Sequence, residues 1–169
     1  PTLPRTTPIP ATTTMAIIGA GIAGIAVALA AAEEGVKFTI FDRNAEVGGT
    51  WLTTTYPGIG VDTPSAYYSL SREVNPDWSS YYPIGAEYQA YLVGLADKHD
   101  LRRHIRFGTE VEALWWDEQC QQWQIHSRAA DGTVRCSCRH AWSSSNSSAS
   151  FSVITPASSS ASVTVTARR

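Results

Sequence analysis

The sequence predicts an α/β fold in three layers: a parallel strand–helix–strand unit opens the chain, and a small antiparallel meander is appended to its sheet. Three observations carry this. Residues 15–18 form a short apolar run that enters glycine at Gly19. An alanine-rich stretch containing Ile25, Val27 and Leu29 follows and ends at Glu33-Glu34-Gly35, the pattern of a helix that a glycine terminates. Residues 37–41 then alternate as a second strand, and so short a strand–helix–strand unit pairs its strands in parallel, with a right-handed crossover.

Residues 44–82 are rich in Gly, Pro, Thr and aromatic residues and show neither helical nor strand periodicity. A loop of that length is functional or disordered. Trp51, Tyr56, Tyr67, Tyr68, Trp78, Tyr81 and Tyr82 argue against disorder, because disordered segments are poor in aromatic residues. The expectation is an ordered wrap that faces a ligand. Within 86–99, Tyr88, Tyr91, Leu92, Leu95 and Ala96 share one helical face. After a short run at 105–107, segments 110–116, 123–128 and 133–139 are separated by the turn-like Asp117-Glu118-Gln119 and Asp131-Gly132, and read as the meander. Trp115 and Trp116 are expected to be core and sheet-face residues of it.

The 169 residues are enough for one ordinary domain, and 43% hydrophobic content with a formal charge of -2 describes a soluble globular chain. No basic excess is present, which speaks against nucleic acid or an anionic membrane as partner. The longest apolar stretch, 19–32, is broken by glycines and falls short of the ~20 residues that span a bilayer. Cys120, Cys136 and Cys138 form no CxxC pair, so reduced structural cysteines are expected rather than a disulfide framework or a zinc site, and the expected compartment is cytoplasmic. The expected organisation is a flexible leader over 1–14, a partial domain over 15–140, and a serine-rich, disordered tail over 141–169. Eleven serines lie between Ser143 and Ser162, and no acidic residue follows Ser143. The serines at 143–145 stand where a valine-rich strand would be expected. A one-base shift turns GTC codons into TCG, so a reading-frame change or a truncation is the expectation there.

Gly19-Ala20-Gly21-Ile22-Ala23-Gly24 is a GxGxxG motif placed between the first strand and the helix. The first glycine permits the tight turn, the second lets backbone approach a pyrophosphate, and the third lets helix and strand pack closely. The helix N-terminus then offers free amides and partial positive charge to phosphates. Asp42 ends the second strand, about 20 residues on, where a carboxylate accepts hydrogen bonds from ribose hydroxyls and disfavours a 2′-phosphate. The unit is thus expected to bind a dinucleotide, FAD or NAD in preference to NADP. Arg43 joins the candidate set by position, although a solvated surface charge is its plainer reading.

Three further groups follow in order: Gly48-Gly49-Thr50-Trp51, Tyr56-Pro57-Gly58, and Val61-Asp62-Thr63-Pro64-Ser65 with Tyr68 and Ser71. Together with Asn75-Pro76-Asp77-Trp78, Ile105-Arg106-Phe107 and Thr109-Glu110-Val111, they resemble the FAD-binding start of the flavin-containing and Baeyer–Villiger monooxygenases, especially the 4-hydroxyacetophenone monooxygenase type. The resemblance covers roughly residues 16–139. It implies a three-layer FAD/NAD(P)-binding Rossmann-like fold, incomplete at its C-terminal end. It further implies that Thr50, Trp51, Asp62, Tyr68 and Val111 contact the flavin, its ribityl chain or the adenine end, and Gly49 joins this candidate set because a glycine backbone can pass close to a ring system. In the complete enzyme it implies NADPH as reductant and a small organic substrate, oxidised at a ketone or a heteroatom. Departures are Thr54-Thr55 and Gly60, where many relatives carry an Asn-Arg pair and a basic residue. The sequence also has no second GxGxxG, no FxGxxxHxxxW fingerprint and no closing Ala-Thr-Gly strand.

No catalytic residue and no metal ligand is expected within the chain. His99, His104, His126 and His140 lack metal-ligand spacing, and Ser65 and Ser71 lack a nucleophile-elbow context. Two alternatives stay open: a truncated, non-catalytic FAD-binding remnant, and an NAD-dependent dehydrogenase built on the same start. The latter leaves Gly48-Gly49-Thr50-Trp51 without an explanation.

Overall fold

A computed structural model describes residues 14–119 and 122–140, with the side chains of 137–140 left out. The expected leader, the serine-rich tail and Cys120 therefore lie outside the described residues, apart from Thr14.

Strand β1 (Thr14–Ile18) pairs in parallel with β2 (Lys37–Phe41), Ile17 opposite Ile40, and β2 pairs in parallel with the two-residue β3 (Ile105–Arg106). The sheet order is β1-β2-β3. Helix α1 (Ile22–Glu33) makes the crossover and buries Gly24, Ile25, Ala28 and Ala31 against the strands. It stops where the sequence places the stop. Gly35 adopts φ +66°, its N–H donates to the Ala32 carbonyl at 3.1 Å, and the Val36 N–H donates to the Ala31 carbonyl at 2.9 Å. That paired bonding is the Schellman termination, which needs a residue tolerant of the left-handed region.

Helix α3 (Gly85–Lys98) buries the expected face, Tyr88, Leu92, Leu95 and Ala96, and joins Ile25, Ala28, Ile40, Leu101 and Ile105 in one apolar core. Tyr91 is only partly buried, because its hydroxyl donates to the Glu73 carbonyl and accepts from the Leu70 N–H. A 3₁₀ turn at Leu101–His104 then leads into β3, an element without a periodic sequence signal.

The meander is β4 (Thr109–Asp117), β5 (Gln122–Ala129) and β6 (Val134–His140), antiparallel throughout, with a bulge between Val111 and Ala113. It is a separate three-stranded sheet rather than an extension of the parallel one. It meets the parallel sheet where β4 approaches β2 and β6 approaches β1. Trp116 packs on Trp123 on the sheltered face, but Trp115 is 52% exposed and leans edge-on against His126. Adjacent strand residues point to opposite faces, so only one of this pair can reach the core while the other lies on the outer sheet face. Cys136 is a free, exposed cysteine. Among the described residues, no helix is long and apolar enough to cross a membrane.

A Cβ on Gly24 would sit 1.8 Å from the Gly19 carbonyl oxygen, whereas one on Gly35 meets nothing within 4 Å. Urea unfolding should therefore show Gly24→Ala losing about 3 kcal/mol or more through a backbone clash. Gly35→Ala should lose only about 1 kcal/mol, from its left-handed backbone. Equal losses would contradict this packing.

Candidate functional site

The site is built from two glycine turns that meet backbone to backbone. The first begins where β1 ends: Gly19 adopts φ +94° and its N–H donates to the Phe41 carbonyl at 2.8 Å. Gly21 is the N-cap of α1 in extended conformation, its carbonyl accepting from Ile25 N–H at 2.9 Å. No side chain caps this end, and its first turn carries no acidic residue. The leading amides of a helix have no intrahelical acceptor, so those of Ile22, Ala23 and Gly24 carry a partial positive charge that no acidic residue of the first turn offsets.

The second turn is Gly48-Gly49, at φ +147° and +56°. A Cβ on Gly49 would lie 2.9 Å from Gly21 Cα, and one on Gly21 would lie 3.4 Å from Gly49 Cα. The Gly48 N–H donates to the Ala20 carbonyl at 3.1 Å, closing the contact. A short helix, α2 (Thr50–Thr53), starts at once from Gly49. The sequence gives no sign of this helical turn inside the 44–82 wrap, since four residues are too few to show a period.

Asp42 joins the two turns. It is 4% exposed; its Oδ2 accepts from the Ala20 N–H at 2.5 Å and its Oδ1 from the Asn44 N–H at 2.7 Å. Its own N–H donates to the Arg106 carbonyl, and its carbonyl accepts from the Thr109 N–H at 2.8 Å. Both oxygens already hold backbone, so it is their remaining lone pairs that a ribose would meet. Through Thr109 the same residue brings the start of β4, and hence Val111 at its bulge, to the end of β2. Arg43 is exposed beside it.

The remaining candidates sit in the wrap. Trp51 lies on α2 with its ring 5.2 Å from that of Tyr88 and 6.1 Å from that of Tyr68, and it touches the space over Gly85. Tyr68 packs at a tilt on Tyr88, ring centroids 4.7 Å apart, and the Tyr88 hydroxyl donates to the Tyr68 carbonyl at 2.6 Å. Trp78 lies parallel to Tyr88 at 5.7 Å. Burial, with Tyr68 and Tyr91 close by, pushes the Tyr88 phenol far above its usual range, so it stays a neutral donor. Trp51 and Tyr68 are thus committed to fastening the wrap onto α3. Asp62 is exposed, its Oδ1 accepting from Thr63 Oγ1 at 3.3 Å.

Sequence reasoning missed the residues that hold the second turn from behind. Gln89 on α3 donates from Nε2 to the Val47 carbonyl at 3.2 Å. Arg102 pairs with Glu46 at 2.9 Å and also with Asp97, while Glu46 Oε1 accepts from the Val47 N–H at 2.7 Å. These contacts span 42 and 56 residues of chain, so no local pattern announces them. Burial alone would raise the Glu46 carboxyl, but the Arg102 guanidinium and the Val47 N–H outweigh it and hold it below the ordinary value.

Residues 17–83 match the family model of an NAD(P)-binding Rossmann-like domain, the class that the βαβ unit and its glycine turn define. The chain is 40% identical over 114 residues to the FAD-binding monooxygenase ktnD of Aspergillus niger, covering 66% of this chain and 19% of that protein. It is 38% identical over 114 residues to a Baeyer-Villiger monooxygenase of Streptomyces coelicolor, covering 67% and 22%. An oxidized steroid monooxygenase bound to NADP superposes with a TM-score of 0.64 at 35% identity, covering 72% of this chain and 24% of that one. Over about two thirds of its length the chain is therefore similar to FAD-binding and Baeyer-Villiger monooxygenases, and it spans about a fifth of the length of the curated relatives it matches.

Two outcomes follow from this geometry. Asp42→Asn places an NH2 group against one of two backbone donors and should cost about 2 to 3 kcal/mol in urea unfolding, the range for a charged hydrogen bond left unmade. Glu46 titrates lower when folded than when unfolded, so its contribution is present above pH about 4.5 and is lost as pH falls through its folded value. The melting-temperature gap between wild type and Glu46→Gln should accordingly shrink below that pH; a gap that widens on acidification would contradict the pairing.

Proposed function

We propose that the paired glycine turns cradle the pyrophosphate of FAD, and that the chain is the FAD-binding portion of an NADPH-dependent flavoprotein monooxygenase. The observation that carries this reading is the meeting of Gly21 and Gly49, where a single Cβ on Gly49 would lie 2.9 Å from the opposite backbone. Walls made of backbone, beside an uncapped helix N-terminus, fit an anionic linker that must lie close to amides. The residues therefore fit the group. In this reading Gly19, Ala20, Gly21, Ile22, Ala23 and Gly24 hold the phosphates, and Asp42 accepts from the ribose while Arg43 closes its solvent side. Gly49, Thr50 and Trp51 lie toward the flavin, with Asp62 and Tyr68 further along the wrap and Val111 walling the adenine.

FAD reduced by NADPH would supply the oxygen-transferring chemistry, directed at a ketone carbonyl or a heteroatom of a small organic substrate. This chain's part is to bind and orient the cofactor and to exclude water around it. The names of the relatives, which include FAD-binding and Baeyer-Villiger monooxygenases, support the assignment. A cytoplasmic location accompanies this reading.

The test is the visible spectrum of the purified chain after mixing with excess FAD and removing what is unbound, alongside the same treatment with NADH. Retained flavin bands that disappear in Gly21→Val, whose branched side chain cannot fit over Gly49, are the expected result. Retention of NADH with no flavin would replace this reading with a nicotinamide one.

A further inference from the structure

We infer that Gln89 is a positioning residue of the cradle, an inference that rests on the FAD reading just given. The stretch from Val47 to Gly49 is intrinsically soft, since Gly48 and Gly49 both adopt positive φ and neither carries a side chain to hold it. Its orientation must be imposed from outside. On one side the Gly48 N–H reaches the Ala20 carbonyl at 3.1 Å. On the other side Gln89 makes two contacts at once. Its Nε2 donates to the Val47 carbonyl at 3.2 Å, and its Cγ lies 2.8 Å from the place a Cβ of Gly48 would occupy.

The stem therefore fills the floor beneath Gly48 while the amide fixes the peptide that enters the turn. Val47 itself is fully buried, so its side chain is locked and the carbonyl is the remaining degree of freedom. An apolar side chain of similar length could fill the floor. Only a donor can set the direction of that carbonyl, and with it the way Gly49 meets Gly21.

The experiment separates these two roles. Gln89→Met keeps length and packing but removes the donor, and Gln89→Glu keeps the shape but sets an acceptor against an acceptor. Lys98→Gln, which breaks the exposed ion pair with Glu73 at the far end of α3, serves as the control. FAD titration should weaken by roughly fivefold in both Gln89 variants, the size of one neutral hydrogen bond, with an altered visible circular dichroism of the bound flavin. Without FAD, amide exchange at Gly48 and Gly49 should quicken in Gln89→Met. Unchanged affinity, flavin signal and exchange in Gln89→Met would overturn the role, as would an equal loss in Lys98→Gln. Faster exchange in a chain that retains no FAD would uphold the anchoring of the turn and defeat the FAD reading instead.

Discussion

The rest of the structure depends on the buried carboxylate of Asp42. A charge 4% exposed is costly unless its oxygens are bonded, and here the partners are backbone amides of two loops separated by more than twenty residues. The Ala20 N–H belongs to the turn after β1, and the Asn44 N–H to the chain leaving β2. Because Asp42 also receives and donates through its own backbone, to Arg106 and from Thr109, the same residue seats β3 and starts β4. One side chain thus fixes where the glycine turn points, where the wrap begins, and where the meander attaches.

A second constraint keeps the long wrap ordered. Residues between α2 and α3 have almost no regular backbone pairing, apart from an isolated bridge between Gly60 and Ile84, so the entropy of ordering them must be offset by side chains. Tyr88 does much of this. Its ring lies against Trp51, Tyr68, Trp78 and Tyr91, and its hydroxyl ties the Tyr68 carbonyl. The cost is that Trp51 and Tyr68, both candidates for cofactor contact, are already engaged in packing. Their contribution to a flavin would come through the edges and backbone that this packing leaves over.

What the sequence made legible follows from how local each signal is. The βαβ unit, the Gly35 stop and the buried face of α3 are written in neighbouring residues, and the structure keeps them within a residue or two. The glycine motif and Asp42 were legible as a pair because their spacing is set by one helix. The contact of Gly21 with Gly49 was not, since nothing in either turn names the other. Gln89, Arg102 and Glu46 were missed for the same reason: each is an ordinary polar residue on a helix or loop until folding brings it to the second turn. Trp115 and Trp116 were legible as one core and one sheet-face residue, but which of them turns to solvent is decided by how the meander packs.

The central claim is that the two turns and Asp42 form a single cofactor cradle. Hydrogen exchange of the full chain with and without FAD tests it most directly. The account predicts that FAD slows exchange at residues 20–24 and 47–50 together and leaves the β5–β6 hairpin unchanged. Protection confined to one turn, or spread evenly over the chain, would contradict it.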